Sequence, residues 1–332
     1  MPQGQLAQVL GGVIDPTDER LLVGPGSVDD AGVVALDSVV EGGSGRALVQ
    51  TVDYFPPVVD DPYLYGAIAA ANSLSDVYAM GGRPLSALNL AGFPAEFPDE
   101  WLAEIFRGGF DKMREAGAVV AGGHTVRSRE AQFGFAVTGV VDREACVTNA
   151  GARAGNRLYL TKPIGMGSMT TAAKRGAITS GELEPAARQM AALNAAAAEA
   201  MGRAGAGACT DVTGFGLAGH AHNVAAASGV TLRIELGTVP LFPGALDLAR
   251  AGSLSGGSQR GRASLADSVS VAAGLDEALV GLAFDAETSG GLLIAVAAER
   301  ASDLEAELAR RSVPVHAVGA CVPASGSSVE LV

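Results

Sequence analysis

Residues 51–84 read TVDYFPPVVDDPYLYGAIAAANSLSDVYAMGGRP, and the order of patterns inside them sets the fold class. The stretch opens on the end of a short β-branched run, ALVQTVD (47–53), which predicts a buried strand. Pro62 then begins a segment filled with Ala and Leu that stops at Gly81-Gly82, so a helix is expected over 62–80. Outward from there the pattern repeats. VVAL (33–36) and FGFAVTGVV (133–141) are strands of the same kind. A second helix is expected over 99–116, opened by Asp99 and closed near Gly117, with the strand AVVAGG (118–123) after it.

The small-residue segment AGARAGN (150–156) is the expected hinge, dividing the chain into domains 1–156 and 157–332. Beyond it come a strand, RLYLTKP (157–163), a Gly-broken turn, GMGSM (165–169), and an Ala-rich helix over 185–204. GVTLRIEL (229–236) and GGLLIAVAA (290–298) read as strands, and ERASDLEAELARR (299–311) as a charged amphipathic helix. VPVHAVGACV closes the second sheet, and no internal repeat of solenoid length is present. The fold class expected is α/β (α+β) in two domains.

The 332 residues suit two domains, 48% of them are hydrophobic, and only 18% are charged, which excludes a disordered chain. Lys and Arg number 23 against 36 acids, a formal charge of −13 that disfavours nonspecific binding to nucleic acid or an anionic membrane. An anionic substrate must then be met by metal ions, backbone N–H groups and a few local bases. The 45 glycines fall in discrete clusters, as turns and phosphate-approach loops do. Cys146, Cys209 and Cys321 are odd in number and far apart, giving neither a disulfide framework nor a C-x-x-C site, so a reduced compartment is expected. With no basic-then-apolar leader and no apolar span of ~20 residues, the expectation is a cytoplasmic protein.

Four aspartates stand in separate polar or Gly-rich motifs: Asp30 in GPGSVDDAGVV, Asp53 in VQTVDYF, Asp76 in ANSLSDVYAMGG and Asp211 in CTDVTGFGLAGH. Carboxylates dispersed in sequence and gathered by folding supply the hard oxygens that Mg²⁺ requires, and Mg²⁺ grips nucleotide phosphates. Any one of them can equally be an N-cap or turn residue. Asp76 carries the most weight, because Asp is a poor helix former and this one stands inside a helix, with Asn72 four residues earlier on the same face.

AGGHT (121–125), TSGGLL (288–293) and KPIGMG (162–167) are loops whose backbone N–H groups can face an anion, although a plain turn accounts for either of the first two. Lys162 adds a positive charge beside the third. It is expected at the nucleotide cleft or its wall with Thr288 and Ser289; the alternative is that it anchors its own turn. His124 has two readings, phosphate contact or loop support. His220 and His222, two apart on a helix, point to different faces, which favours core or capping roles over a shared metal. Cys209 and Cys321 read as small buried apolar residues.

In this order and at these intervals, DDAGVV (29–34), the block at 51–84, AGGHTV (121–126), LTKPIGMG (160–167), TDVTGFGLAGH (210–220) and TSGGLL (288–293) resemble the selenophosphate synthetases. The resemblance runs from Leu21 onward. Aminoimidazole ribonucleotide synthetase and thiamine-monophosphate kinase share the fold with shorter versions of these motifs. It implies a two-domain aminoimidazole ribonucleotide synthetase-like fold, a homodimer paired through the N-terminal sheet, and ATP in a cleft built largely from the two N-terminal halves. It implies that ATP, water and hydrogen selenide become selenophosphate, AMP and orthophosphate. Asp30, Asp53, Asp76 and Asp211 match metal-ligand positions. Asn72, Gly122, Gly123, His124 and Thr125, with Asp53 and Asp76, match nucleotide or phosphate contacts. Such chemistry is mostly positioning and charge neutralisation. A different ATP-dependent small-molecule kinase of the superfamily, or a non-catalytic nucleotide-binding homologue, is the alternative.

The family also carries a glycine-rich mobile segment with a Cys or selenocysteine followed by an essential Lys. Met1–Leu6 resembles the sequence immediately after that Lys, and none of the three cysteines matches the nucleophile. The nucleophile and Lys are therefore expected upstream of Met1, behind a selenocysteine codon read as a stop; a naturally shortened paralogue and an ordinary start-site error are the alternatives, and the 332-residue form is expected to bind Mg-ATP but make little or no selenophosphate. Two smaller departures are Glu287, where the family usually has Gln, and Gly261, where it usually has Asn.

Overall fold

The computed structural model describes residues 18–24, 27–37, 43 and 45–332; the expectation attached to Met1–Leu6 lies outside them. The first sheet contains β1 (Leu21–Val23), β2 (Gly32–Ala35), β3 (Arg46–Phe55), β4 (Arg83–Phe93), β5 (Val119–Arg127) and β6 (Gln132–Asp142), in the order β1-β2-β3-β6-β4-β5. Of these described strands only β4 and β5 run parallel. Two helices, α1 (Pro62–Ala79) and α2 (Asp99–Glu115), pack together against this half. They cross backbone to backbone: a Cβ on Gly66 would lie 1.9 Å from the Ile105 carbonyl oxygen, and one on Gly108 would lie 2.0 Å from that of Tyr63.

Helix α1 begins as its sequence predicts. Asp61 caps the Leu64 N–H and Pro62 sits in the first turn, where its missing N–H costs nothing. From Tyr65 to Ala79 every residue is buried, the mark of a helix covered on all sides. The first sheet takes one side and the second half of the chain the other.

That second half is built on β7 (Arg157–Leu160), β8 (Ala208–Asp211), β9 (Val230–Ile234), β10 (Val269–Val271), β11 (Leu292–Val296), β12 (His316–Pro323) and β13 (Val329–Leu331), ordered β10-β13-β9-β12-β7-β11-β8. Its helices are α3 (Met166–Lys174), α4 (Ser180–Met190), α5 (Ala195–Ala204), α6 (Gly216–Ser228), α7 (Ala245–Arg250), α8 (Gly256–Ser264), α9 (Glu277–Ala283) and α10 (Ala301–Arg310). The edge strand β8 lies against α1, which brings the end of β8 to the middle of the molecule. Among the described residues no helix is long and apolar enough to cross a membrane.

Three local expectations change. The helix expected over 185–204 is two helices, α4 and α5, because Asn194 turns its side chain away to bond across the molecule. AGGHT is not a turn but the middle of strand β5, hydrogen-bonded to β4. GMGSM is a turn only at Gly165, whose φ of 117° favours glycine; α3 starts at Met166.

One face of the first sheet is left uncovered by the described residues. Register places Val52, Ala136, Leu88 and Gly122 in one row across β3, β6, β4 and β5, and Tyr54, Gly134, Leu90 and His124 in the next. Val52 is 55% exposed, Tyr54 54%, and Leu88 and Val126 50% each.

Candidate functional site

The four aspartates arrive from four different elements. Asp30 precedes β2, Asp53 lies near the end of β3, Asp76 is in the last turns of α1, and Asp211 is the last residue of β8. Thr51 and Asp53 are two apart on β3 and both face α1, so the Thr51 hydroxyl donates to Asp76 and the Asn72 amide donates to Asp53 Oδ2 at 2.7 Å. This is the shared face of Asn72 and Asp76 expected from their spacing. Thr210 donates to Asp30 Oδ1 at 2.8 Å, and the Ser75 hydroxyl donates to Asp211.

Electrostatics show the convergence. Burial, then the charge of Asp211, pushes the Asp53 carboxyl up to about 7. Asp30 and Asp76 are held well above the usual carboxylate range by burial first and by Asp211 next. Burial also lifts Asp211 to about 6, against the hydrogen bond from Ser75 and the nearby Lys162 charge. Asp30 Oδ2 and Asp211 Oδ2 are buried and accept no hydrogen bond. Two orphaned carboxylate oxygens among four clustered acids, all hard donors, fit a Mg²⁺ ion, which offsets the cost of burying like charges.

Lys162 does not reach open solvent. Its ammonium donates to the Ala192 carbonyl at 2.7 Å and the Ser289 carbonyl at 2.8 Å, and burial lowers its pKa to about 7. It therefore fastens the 288–291 loop to the end of α4, beyond its own turn. That loop leads to the aspartates: the Ser289 N–H donates to Asn72 Oδ1 at 2.8 Å, and Asn72 donates to Asp53. Ser289 holds a left-handed φ of 50°, rare for a side-chain-bearing residue. Asn194, which the sequence reading did not single out, joins the Ser75 hydroxyl and the Gly290 carbonyl, at 2.9 Å each. Its only sequence signal is an Asn interrupting the Ala-rich run. Thr51, Ser75 and Thr210 were also missed, although each lies within two residues of a named aspartate.

Gly122, Gly123, His124 and Thr125 are not gathered with the aspartates of their own chain. They lie on edge strand β5, three strand spacings from β3, roughly 14 Å. All four are exposed. Gly123 has a packing reason to be glycine, since a Cβ there would stand 2.3 Å from the Asn89 carbonyl oxygen.

The histidines separate as expected. His222 bonds Ser328 at 2.7 Å, whereas His220 is buried between Thr210 and Thr213. Cys209 and Cys321 are buried. At the two departures, Glu287 accepts from the Gly165 and Met166 N–H groups, both oxygens serving the start of α3. Gly261 lies in α8, where a Cβ would meet nothing closer than the Phe284 carbonyl oxygen at 3.5 Å.

Comparison with known proteins agrees with this architecture. Residues 28–141 match the N-terminal domain of AIR synthase related proteins, and residues 153–332 match the C-terminal domain. The selenide, water dikinase of Geobacter metallireducens is 48% identical over 96% of this chain and 91% of its own length. That of Caldanaerobacter subterraneus is 47% identical over 92% and 87%. Among solved structures, tt0281 from Thermus thermophilus superposes with a TM-score of 0.74 at 23% identity, covering 100% of this chain and 96% of that one. AaThiL complexed with AMPPCP and TMP superposes with a TM-score of 0.68 at 18% identity, over 98% and 91%. The last two establish the fold. The family models and the curated relatives together show that the chain belongs to the selenide, water dikinase family of AIR synthase related proteins.

Proposed function

We propose that this chain makes selenophosphate from selenide, ATP and water, with AMP and orthophosphate as the other products, and that Asp30, Asp53, Asp76 and Asp211 hold Mg²⁺ against the nucleotide phosphates. The observation that carries the reading is the convergence of four aspartates with two carboxylate oxygens left unpaired. Bound Mg²⁺ would neutralise charge developing on the phosphate oxygens. The chain's own side chains set the geometry. Thr51, Asn72, Ser75 and Thr210 each donate to one carboxylate, fixing its rotamer and leaving other oxygens for the cation.

The open face of the first sheet supports a homodimer, with ATP in a cleft between the two N-terminal halves. Gly122 and His124 lie on that face, so the partner's β5 would reach the nucleotide that this chain's aspartates hold by its phosphates. Gly123 and Thr125 alternate to the other face of the edge strand.

Product identity tests the reading. Selenide-dependent formation of AMP and orthophosphate, followed by ³¹P NMR, is the expected result for the chain preceded by a glycine-rich segment bearing the family's Cys and Lys, with little or none from the 332 residues alone. ADP as the nucleotide product would make it a kinase of another substrate. Mg-ATP binding without turnover in either form would make it a nucleotide-binding homologue.

A further inference from the structure

Asp30, Asp211 and His220 offer ligand atoms that all lie within 4.8 Å of one another, the outline of a three-ligand metal site. The hydrogen bonds around the imidazole argue otherwise. The Thr213 backbone N–H donates to His220 Nε2 at 3.1 Å. A backbone N–H can only donate, so Nε2 carries the lone pair and the neutral ring bears its proton on Nδ1. Nδ1 stands 3.3 Å from Thr210 Oγ1, which therefore accepts. With its acceptor side engaged, the Thr210 hydroxyl proton faces Asp30 Oδ1 at 2.8 Å or the Asp211 carbonyl at 3.1 Å. The shorter contact is to a carboxylate, the stronger acceptor of the two. Both ring nitrogens are thus spent within the protein.

We propose that His220 is a positioning residue of the metal centre and not a ligand: held in its Nδ1–H form by Thr213, it turns the Thr210 hydroxyl onto Asp30 Oδ1 and reserves Asp30 Oδ2 for the cation. The inference rests on the metal reading above. The unpaired state of Asp30 Oδ2 is what such a relay leaves behind. His220 is 6% exposed and Thr210 fully buried, so water does not compete for these bonds.

The test is an equilibrium titration of the full chain with Mn²⁺, read by the EPR signal of the free ion and needing no turnover. Thr210→Val keeps shape and β-propensity but has no hydroxyl; it should weaken Mn²⁺ binding by about 10-fold or more, the usual loss for an outer-shell partner. Thr210→Ser restores the hydroxyl and should stay within about 3-fold of wild type. His220→Asn keeps an amide N–H where Nδ1 was and should bind nearly as wild type, while His220→Leu should match Thr210→Val. Thr210→Val also leaves the buried Nδ1–H without an acceptor, so its thermal midpoint should fall below that of Thr210→Ser; identical far-ultraviolet spectra of the two variants at the titration temperature separate positioning from unfolding. If Thr210→Val binds as wild type while His220→Asn and His220→Leu both lose the ion, His220 is a direct ligand and the proposal is overturned. If Asp30→Asn binds Mn²⁺ as tightly as wild type, the metal reading at Asp30 itself falls, and this inference with it.

Discussion

At the level of single residues the site is a set of acids whose folded state prefers them protonated until a cation arrives. Burial raises Asp211 to about 6, and burial together with the Asp211 charge raises Asp53 to about 7, from an ordinary value of 3.8. For an acid raised in this way, the stabilising contribution is present below the unfolded value and is lost as pH rises through the folded one. The metal-free chain is therefore expected to lose thermal stability between about pH 4 and pH 7. Protons and Mg²⁺ compete for the same oxygens, so added Mg²⁺ should raise the midpoint far more at about pH 7.5 than at about pH 5. Scanning calorimetry at both pH values checks this, and an equal gain at each would count against it. Lys162 gives a second expectation. Lys162→Met leaves the Ala192 and Ser289 carbonyls without their donor, and each buried group left unpaired costs about 1–3 kcal/mol. The variant should be destabilised by about 2 kcal/mol or more in urea, and should bind Mg-ATP more weakly because Ser289 holds Asn72. Normal stability and affinity would show that Lys162 is only a tenant of its pocket.

Elements explain what was legible in the chain and what was not. Local signals placed α1 well: Pro62 starts it, Gly81 follows it, and its apolar filling matches burial on every side, while the Asp61 cap emerges only in the structure. The same reasoning failed at AGGHT, because glycines that look like a turn are equally what a parallel edge strand needs when its neighbour's backbone would come within 2.3 Å of a Cβ. It failed again at 185–204, where helix propensity alone sees no reason to stop. The reason is tertiary: Asn194 breaks the run to satisfy Ser75 on α1 and Gly290 in the loop before β11. The aspartates could be nominated from their motifs, but the threonines, serine and asparagines that aim them are common residues with no pattern of their own. Asn194→Ala removes two buried hydrogen bonds at once and is expected to cost about 2–4 kcal/mol, read from the urea midpoint at constant m-value. A change under about 0.5 kcal/mol would mean the α4–α5 break has another cause.

On the scale of the whole molecule, one surface has no partner within the described chain. The first sheet is covered on one side by α1 and α2 and presents Val52, Tyr54, Leu88 and Val126, each half exposed, on the other. Contiguous apolar surface of this kind on a sheet marks an interface, and a flat uncovered sheet is otherwise an aggregation hazard. Charge points the same way, because a chain of −13 lacks the basic surface that would suit nucleic acid or an anionic membrane. A second copy of the chain supplies a matching apolar face by symmetry. We therefore expect a homodimer at micromolar concentration, paired open face to open face. Leu88 lies between the β3 and β5 members of the four, flanked in its row by Ala136 and Gly122, whose small size lets a partner approach closely. Leu88→Glu points into solvent in the isolated chain, so it should leave the monomer's fold and far-ultraviolet spectrum unchanged. In the pair it would bury two carboxylates against apolar surface, and sedimentation equilibrium should then report a monomer. With the cleft shared as proposed, Mg-ATP affinity should fall at least about 10-fold with it, while Mn²⁺ binding at the aspartates, which lie within one chain, should persist. A Leu88→Glu chain that sediments as a dimer would remove the open face as the interface. A monomeric one with wild-type Mg-ATP affinity would confine the nucleotide site to a single chain and leave the partner's β5 without a part in it.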